Sequence, residues 1–165
     1  MADAYVTALR LLARRELSEA QVRTRLARRE FESDAIDAAV ARLQSERALD
    51  DRRTALACAR TEATVKRHGQ RRALRTVEGL GIDRELARAA VAEVFGEIDE
   101  DALVAQALDR KLRHPPSRKA TARQAVSFET ALARRLSRYL LAQGFDPSRV
   151  HAAIRIRLKT LTDDE

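Results

Sequence analysis

Cysteine, aromatic residues, glycine and proline are all scarce in this sequence of 165 residues. It contains one Cys, five Gly and three Pro, it has no Trp, and aromatic residues make up only 4% of it. A single cysteine, Cys58, excludes an internal disulfide and is typical of a reducing compartment. Because Ala, Leu, Arg and Glu dominate, the composition favours helices and gives almost no support to a sheet. We therefore predict an all-α protein.

Long apolar runs are missing as well. No stretch approaches the roughly 18 consecutive apolar residues that a membrane-spanning helix needs. The first residues, Met1 to Tyr5, lack a positive start followed by an apolar run, so we expect no signal peptide. We therefore expect a cytoplasmic protein without a membrane partner.

Acidic residues are too few to balance the basic ones. The chain has 32 Lys and Arg against 25 Asp and Glu, a formal net charge of +7. Residues 1–50 hold nine basic and nine acidic groups and are neutral, whereas residues 103–162 hold thirteen basic groups against three acidic ones. Residues 52–75 hold eight basic groups and a single acidic one, Glu62. This distribution indicates that a polyanion or an acidic protein surface meets the later part of the chain.

Helical periodicity divides the chain into three modules of three helices each, at residues 1–50, 51–96 and 97–165. The second module is predicted to open with one helix from Asp51 to His68, ended by Gly69 in the left-handed conformation. The third is interrupted at His114–Ser117 and by a basic connector up to about Ser127. Residues that suit a helix N-terminus stand at the start of six helices: Ser18, Ser33, the pair Asp50-Asp51, Asp83, the acidic cluster Asp99-Glu100-Asp101, and Asp146.

The modules align on three large apolar residues, Phe31, Ile82 and Phe145. Positions five residues before, nine before and nine after each of these anchors are apolar in every module. They are Leu26, Val77 and Leu140; Val22, Ala73 and Leu136; and Val40, Val91 and Ile154. This register predicts tandem helical repeats that pack against one another, although three unrelated amphipathic helical pieces would also give such an alignment.

Residue groups with catalytic or metal-binding spacing are missing from the sequence. His68, His114 and His151 have no Cys or carboxylate at ligand spacing, and we interpret them as solvated or capping side chains. Cys58 fits a small buried apolar position better than a nucleophile. The carboxylates at residues 50 and 51 suit a helix cap better than a metal. We therefore predict no enzyme activity and no catalytic, cofactor or metal site.

Basic side chains are the candidate binding residues. Arg53, Arg60 and Arg67 are seven residues apart and would form one row on a continuous helix. An ordinary solvated surface would look the same, but arginines in such numbers also suit bidentate contacts to phosphate or carboxylate. The predicted basic face consists of Arg53, Arg60, Lys66, Arg67, Arg71, Arg72, Arg134, Arg135, Arg138, Arg155 and Lys159.

The order of several short motifs resembles the bacterial RecX family, regulators of the RecA recombinase. The motifs are Leu11-Leu12-Ala13-Arg14-Arg15-Glu16 with Ser18-Glu19, Leu49-Asp50-Asp51-Arg52, Gly69, Gly81-Ile82, Arg138-Tyr139-Leu140 and Gly144-Phe145. The sequence departs from the family pattern at Thr54, where an aromatic residue is usual, at Glu30, where Gly is frequent, and at Thr76, where Glu is common. The resemblance implies an elongated, curved array of three tandem three-helix repeats.

The same resemblance implies a function in DNA recombination, repair and the SOS response. Such a protein would bind in the groove of the RecA–single-stranded DNA filament and lower its ATPase, strand-exchange and coprotease activities. Weak binding to single- or double-stranded DNA without sequence preference is also implied. Two alternatives stay open: a direct, sequence-nonspecific DNA-binding helical protein, and a helical adaptor for an unrelated acidic protein.

Overall fold

Helices make up all the regular secondary structure that the computed structural model describes, at residues 3–113 and 125–163. Within these residues there are nine α-helices and no strand, which confirms the predicted all-α class. The helices are α1 (Ala4–Leu12), α2 (Glu19–Ala27), α3 (Ser33–Ser45), α4 (Asp51–Arg60), α5 (Gln70–Glu78), α6 (Arg84–Gly96), α7 (Glu100–Leu112), α8 (Ala125–Ala142) and α9 (Pro147–Asp163). The predicted interruption at His114–Ser117 and the connector after it, as far as residue 124, lie outside the described residues.

The described chain forms two compact units. One combines the chain up to Thr61 with Leu74–Val94, and the other combines Glu62–Ala73 with the chain from Phe95 onward. The division into three modules at residues 50 and 96 stays a prediction. The elements that carry the basic face belong mostly to the second unit.

Each unit has its own apolar core. In the first unit α1, α2 and α3 bury Leu17, Val22, Leu26 and Leu43 almost completely. In the second unit α7, α8 and α9 do the same with a set that includes Leu103, Val104, Ala107, Leu108, Leu136, Leu140, Phe145 and Val150. Full burial of such a side chain contributes roughly 1.5–3 kcal/mol, so these faces fix how the helices of each unit pack.

The turn before each anchor has the same backbone geometry in all three repeats. Glu30, Gly81 and Gly144 have φ angles of 62°, 78° and 88°. Each of them donates its backbone N–H to the carbonyl three residues earlier, at 2.9, 2.9 and 3.0 Å. Of the twelve aligned positions only Phe31 is half-buried and the other eleven are buried. The predicted tandem repeat is therefore confirmed in its turns and in its core positions.

Two of these turns also accept a hydrogen bond from the start of a helix in the preceding repeat. The acceptor is the carbonyl two residues before the anchor. The donor is the residue that lies thirteen positions before the anchor of the preceding repeat. In the first unit the Ser18 hydroxyl donates to the carbonyl of Leu80 at 2.5 Å, and in the second the Gly69 N–H donates to that of Gln143 at 2.9 Å. A Cβ atom on Gly81 would lie 2.6 Å from that of Ala20. Repeats of this kind therefore need a small residue where a neighbour docks.

Most of the predicted helix caps are confirmed. The side chains of Ser18, Asp50, Asp83, Asp99 and Asp146 each accept a backbone N–H of the first turn, at 2.9–3.2 Å. The prediction for Ser33 is wrong by one residue. Ser33 is the first residue of α3, and the cap position belongs to Glu32, which makes no side-chain capping bond.

The prediction of a single helix from Asp51 to His68 is wrong. α4 ends at Arg60 and is followed by a π-helical turn, Thr61–Val65. A cluster of β-branched residues weakens the helix here, and the His68 N–H closes a wider turn onto the Glu62 carbonyl at 2.9 Å. Arg67 therefore lies outside the helix, and the predicted row of arginines does not reach it.

Gly69 is also not the left-handed residue of this turn. Arg67 takes that conformation, with φ 57°. A side chain on Gly69 would instead collide with the backbone of Gly144 and Phe145. The glycine is needed for close packing and not for its φ angle.

Candidate functional site

Helices α8 and α9 of the second unit border a basic cleft of about 950 Å³. Its base is apolar, with Ile154 buried and Ala133 and Leu158 half-buried. The remaining lining residues are polar or charged: Arg134, Ser137, Arg138, His151, Arg155 and Lys159. The structure thus gathers four residues of the predicted basic face around one cavity.

The sequence places these cations by helical spacing. Arg134 and Arg138 are four residues apart on α8, and Arg155 and Lys159 are four apart on α9, so each pair occupies one side of its helix. The core residues of the same helices, Leu136 and Leu140 on α8 among them, set the orientation of these sides. The cations therefore project at the rim while the apolar base stays covered.

The cleft concentrates positive charge. The four basic side chains are exposed, and no carboxylate of the described residues lines the cavity. Like charges at a spacing of four, such as those of Arg134 and Arg138, destabilise a helix by about 0.2–0.5 kcal/mol for each pair. An anionic partner would relieve this repulsion and would find an apolar surface between the charges.

Arg53, by contrast, makes several bonds inside the protein. Its guanidinium lies 3.1 Å from the carboxylate of Glu16 and donates to the carbonyls of Arg47 and Ala48 at 3.0 and 3.2 Å. These bonds connect the start of α4 to the residues after α3 and before α2. The geometry gives Arg53 a structural task in the first unit.

Arg71 and Arg72 lie near the turn between α8 and α9. Arg71 pairs with Asp146 at 3.4 Å, and Arg72 donates to the side-chain oxygen of Gln143 at 3.0 Å. The pKa of Asp146 is lowered, chiefly because its carboxylate accepts the backbone N–H of Ser148, with a smaller effect from the charge of Arg71. Both arginines therefore hold the start of α5 against this turn.

Lys66 belongs to a cluster around a buried acid that the sequence did not reveal. The Glu62 side chain is 2% exposed and accepts from Lys66 Nζ at 2.5 Å and from His68 Nδ1 at 2.6 Å. Burial acts to raise the pKa of Glu62, but the hydrogen bonds from His68 and Lys66 outweigh it and lower the pKa. The available signal was a lone acid in a basic stretch, four residues before a lysine. His68, interpreted as a solvated or capping residue, is half-buried as the partner of this acid.

The other basic-face residues are exposed but do not line the cleft. Arg60 ends α4, Arg67 follows the π-helical turn, and Arg135 lies on α8 beside the cleft residues. Cys58 is half-buried on α4. Within the described residues, no group of three or more His, Cys, Asp or Glu side chains is arranged to hold a metal ion. None of the helices that the structure describes is both long and apolar enough to cross a membrane.

Comparison with known proteins shows which family the sequence and the fold match. The family model described as "RecX, first three-helix domain" matches residues 4–43, which contain α1, α2 and most of α3. A regulatory protein RecX from Thermus thermophilus is 40% identical over 114 residues, which cover 68% of this chain and 72% of the relative. The chain belongs to the RecX family. A further RecX, from Syntrophotalea carbinolica, is 51% identical over 53 residues, or 32% of this chain, and this match spans only 35% of that relative.

Solved RecX structures share the fold. The crystal structure of RecX from Lactobacillus salivarius superposes with a TM-score of 0.74 at 16% identity, covering 92% of each chain. A crystal structure of regulatory protein RecX gives 0.71 at 19% identity, over 92% of this chain and 70% of that one. The resemblance drawn from the short motifs is therefore confirmed, and the likeness extends well beyond the first three helices.

Proposed function

We propose that this chain is a non-enzymatic regulator that inhibits RecA. It would bind in the groove of the RecA–single-stranded DNA filament and lower ATPase, strand-exchange and coprotease activity. Membership of a family of regulatory proteins supports this proposal. The observation that carries it is the cleft between α8 and α9, where Arg134, Arg138, Arg155 and Lys159 surround an apolar base.

The composition of the cleft favours an acidic protein surface as its ligand. Guanidinium groups bind carboxylates in bidentate fashion, and the apolar base formed by Ile154, Leu158 and Ala133 suits the apolar side chains of a protein segment. The described lining of this cleft contains no Phe, Tyr or Trp ring on which a nucleobase could stack, so a nucleic acid strand would fit it less well. We therefore assign the cleft to acidic side chains of RecA and leave exposed phosphates of the filament to the exposed basic-face residues that do not line it, Arg60, Arg67 and Arg135.

Inhibition then needs occupancy alone. A bound regulator shifts the filament toward the state that it binds more tightly, by no more than its difference in affinity for the two states. No reactive group is required of the regulator. Its effect must therefore depend on contact residues and fall as salt screens their charges.

Charge reversal in the cleft tests the proposal. The variant Arg134→Glu/Arg138→Glu replaces two exposed cations by anions, and it should raise the concentration needed for half-inhibition of RecA ATPase on single-stranded DNA at least tenfold. The matched control is Arg88→Glu/Arg110→Glu, which changes the same charge at exposed positions on α6 and α7 that do not line the cleft. The control should inhibit nearly as well as the wild type.

Helicity and filament binding make the result interpretable. Circular dichroism should show the same helical content in both double variants, and co-sedimentation with RecA filaments should be lost only for the cleft variant. If the cleft variant inhibits as well as the wild type, the cleft is not the contact surface. If the wild type fails to sediment with RecA filaments at all, the chain serves a different acidic partner.

A further inference from the structure

A smaller cleft in the first unit carries positive charge that the neutral composition of residues 1–50 conceals. It has a volume of about 350 Å³ and lies between α1 and the turn that joins α2 to α3. Its lining residues are Thr7, Arg10, Leu11, Arg14, Arg29 and Phe31. None of them belongs to the predicted basic face.

Among the described residues the guanidinium groups of this cleft form no ion pair, although that of Arg29 donates to the carbonyl of Arg25 at 3.3 Å. Arg10, Arg14 and Arg29 are exposed, and the nearby Arg25 is half-buried. The pKa of Arg25 is lowered by burial first and then by the positive charges of Arg15, Arg28 and Arg29. Burial alone would lower this pKa, but the charges that add to the effect are all those of arginines, so like charges lie close to this side chain.

The acidic residues of the same stretch are engaged elsewhere. Glu19 and Asp37 pair with Arg23, and Glu46 pairs with Arg42. Glu30 and Glu32 flank Phe31 in the chain and are exposed, but neither lines the cleft. Six of the nine bases therefore gather at the end of α1 and at the end of α2 with the turn after it: Arg10, Arg14, Arg15, Arg25, Arg28 and Arg29.

The base of the cleft is apolar and contains an aromatic ring. Leu11 and Phe31 are half-buried and pack against the core of the first unit, so part of each remains accessible. Aromatic rings bind nucleobases by stacking, worth about 1–3 kcal/mol for each base, while neighbouring arginines bind the phosphates. A cavity near 300 Å³ is at the small end of those that hold ligands.

We propose that this cleft binds a nucleoside phosphate, with the nucleobase against Phe31 and Leu11 and the phosphate bound by Arg10, Arg14 and Arg29. A lone phosphate would make no contact with the apolar floor of the cleft, and a carboxylate side chain has no flat ring to stack on Phe31. A free nucleotide and a nucleotide within a single strand present the same chemistry. The proposal does not depend on RecA.

Direct titration of the full chain tests the site. Binding of dATP by calorimetry and of a fluorescein-labelled oligo(dT) by anisotropy is measured at low salt, in the Arg134→Glu/Arg138→Glu background so that the cleft in the second unit contributes little. We expect at least one of the two ligands to bind. Binding of dATP assigns the site to free nucleotides, and binding of the oligonucleotide alone assigns it to single strands.

Variants of the lining residues then locate the binding. Arg10→Gln/Arg29→Gln should weaken binding at least tenfold, and Phe31→Leu, which keeps apolar packing but removes the ring, should weaken it several-fold. Arg88→Gln, which removes an exposed charge from α6 of the same unit, should have no comparable effect. The arginine positions are exposed, so they decide the matter if circular dichroism shows that Phe31→Leu unfolds.

Three results would overturn the proposal. The first is that neither dATP nor the oligonucleotide binds. The second is that Arg10→Gln/Arg29→Gln, added to the Arg134→Glu/Arg138→Glu background, binds as tightly as that background alone. The third is competition: inorganic phosphate or an oligoglutamate peptide displaces the nucleotide as effectively as unlabelled nucleotide does, which would show that only negative charge is recognised.

Discussion

Replacing the buried acid Glu62 by glutamine keeps the shape of the side chain and removes its charge. The carboxylate accepts bonds from His68 and Lys66, and a hydrogen bond to a charged group contributes about 1.5–3 kcal/mol. The Lys66 side chain is 50% exposed, so its share is small, whereas that of His68 is 14% exposed. We expect Glu62→Gln to lower the free energy of unfolding by about 2 kcal/mol at pH 7.

The loss should be measurable as a shift in melting temperature. For a chain of this size 1 kcal/mol corresponds to roughly 2–4 °C, so the Tm should fall by roughly 4–8 °C. Circular dichroism at 222 nm provides the measurement, with Glu97→Gln as the control because Glu97 is exposed. Hydrogen exchange adds a local readout, since the Gly69 N–H bonded to Gln143 should exchange faster in the Glu62 variant.

The effect of this substitution must also depend on pH. The folded-state pKa of Glu62 is lowered, so its contribution to stability is complete above its ordinary pKa and is lost as the pH falls through the lower folded value. The difference between wild type and variant should therefore shrink below about pH 4. A variant that melts within 1 °C of the wild type at pH 7, or a difference that grows in acid, would refute this account of the cluster.

Two further predictions concern the turns and the start of α4. Gly144→Ala should lower the free energy of unfolding by at least about 2 kcal/mol, because φ is 88° and the new Cβ would collide with Arg72. Glu30→Gly should leave this free energy unchanged or raise it by up to about 1 kcal/mol. Equal losses of stability in the two variants, measured by chemical unfolding, would contradict the docking argument. Arg53→Ala should destabilise the protein by about 1 kcal/mol, because it loses the bonds to Glu16 and to two carbonyls. Inhibition of RecA by the folded variant at a saturating concentration should be unchanged.

Local patterns carried most of what the sequence predicted. The helices, five of the six caps and the anchors at Phe31, Ile82 and Phe145 depend on neighbours within a few residues, and these were visible in the spacing. The helix break after Arg60 was not visible in the spacing, because the pattern of residues 61–65 is that of a weak continuation of α4. The β-branched residues there only weaken the helix, and the bonds that reach Glu62 from residues 66 and 68 hold the turn that replaces it.

The proposed binding surfaces were predicted less completely, because they depend on how helices pack and not only on spacing along one helix. Spacing along α8 and α9 placed Arg134, Arg138, Arg155 and Lys159 on single sides of their helices, but only packing of the two helices brings the pairs together. In the first unit, counting charges gave a neutral module. The cluster around Arg25 arises because the end of α1 lies beside the α2–α3 turn, which no count along the chain can reveal.

The left-handed turns set a rule for building longer versions of this protein. An additional triplet of helices fused ahead of α1, and packed the way existing neighbours are, would press its helix start onto position 30. The glutamate there would be in the way, so a designer extending the array at that end would first have to substitute glycine. The Gly144 turn, already glycine, shows what such a joint requires.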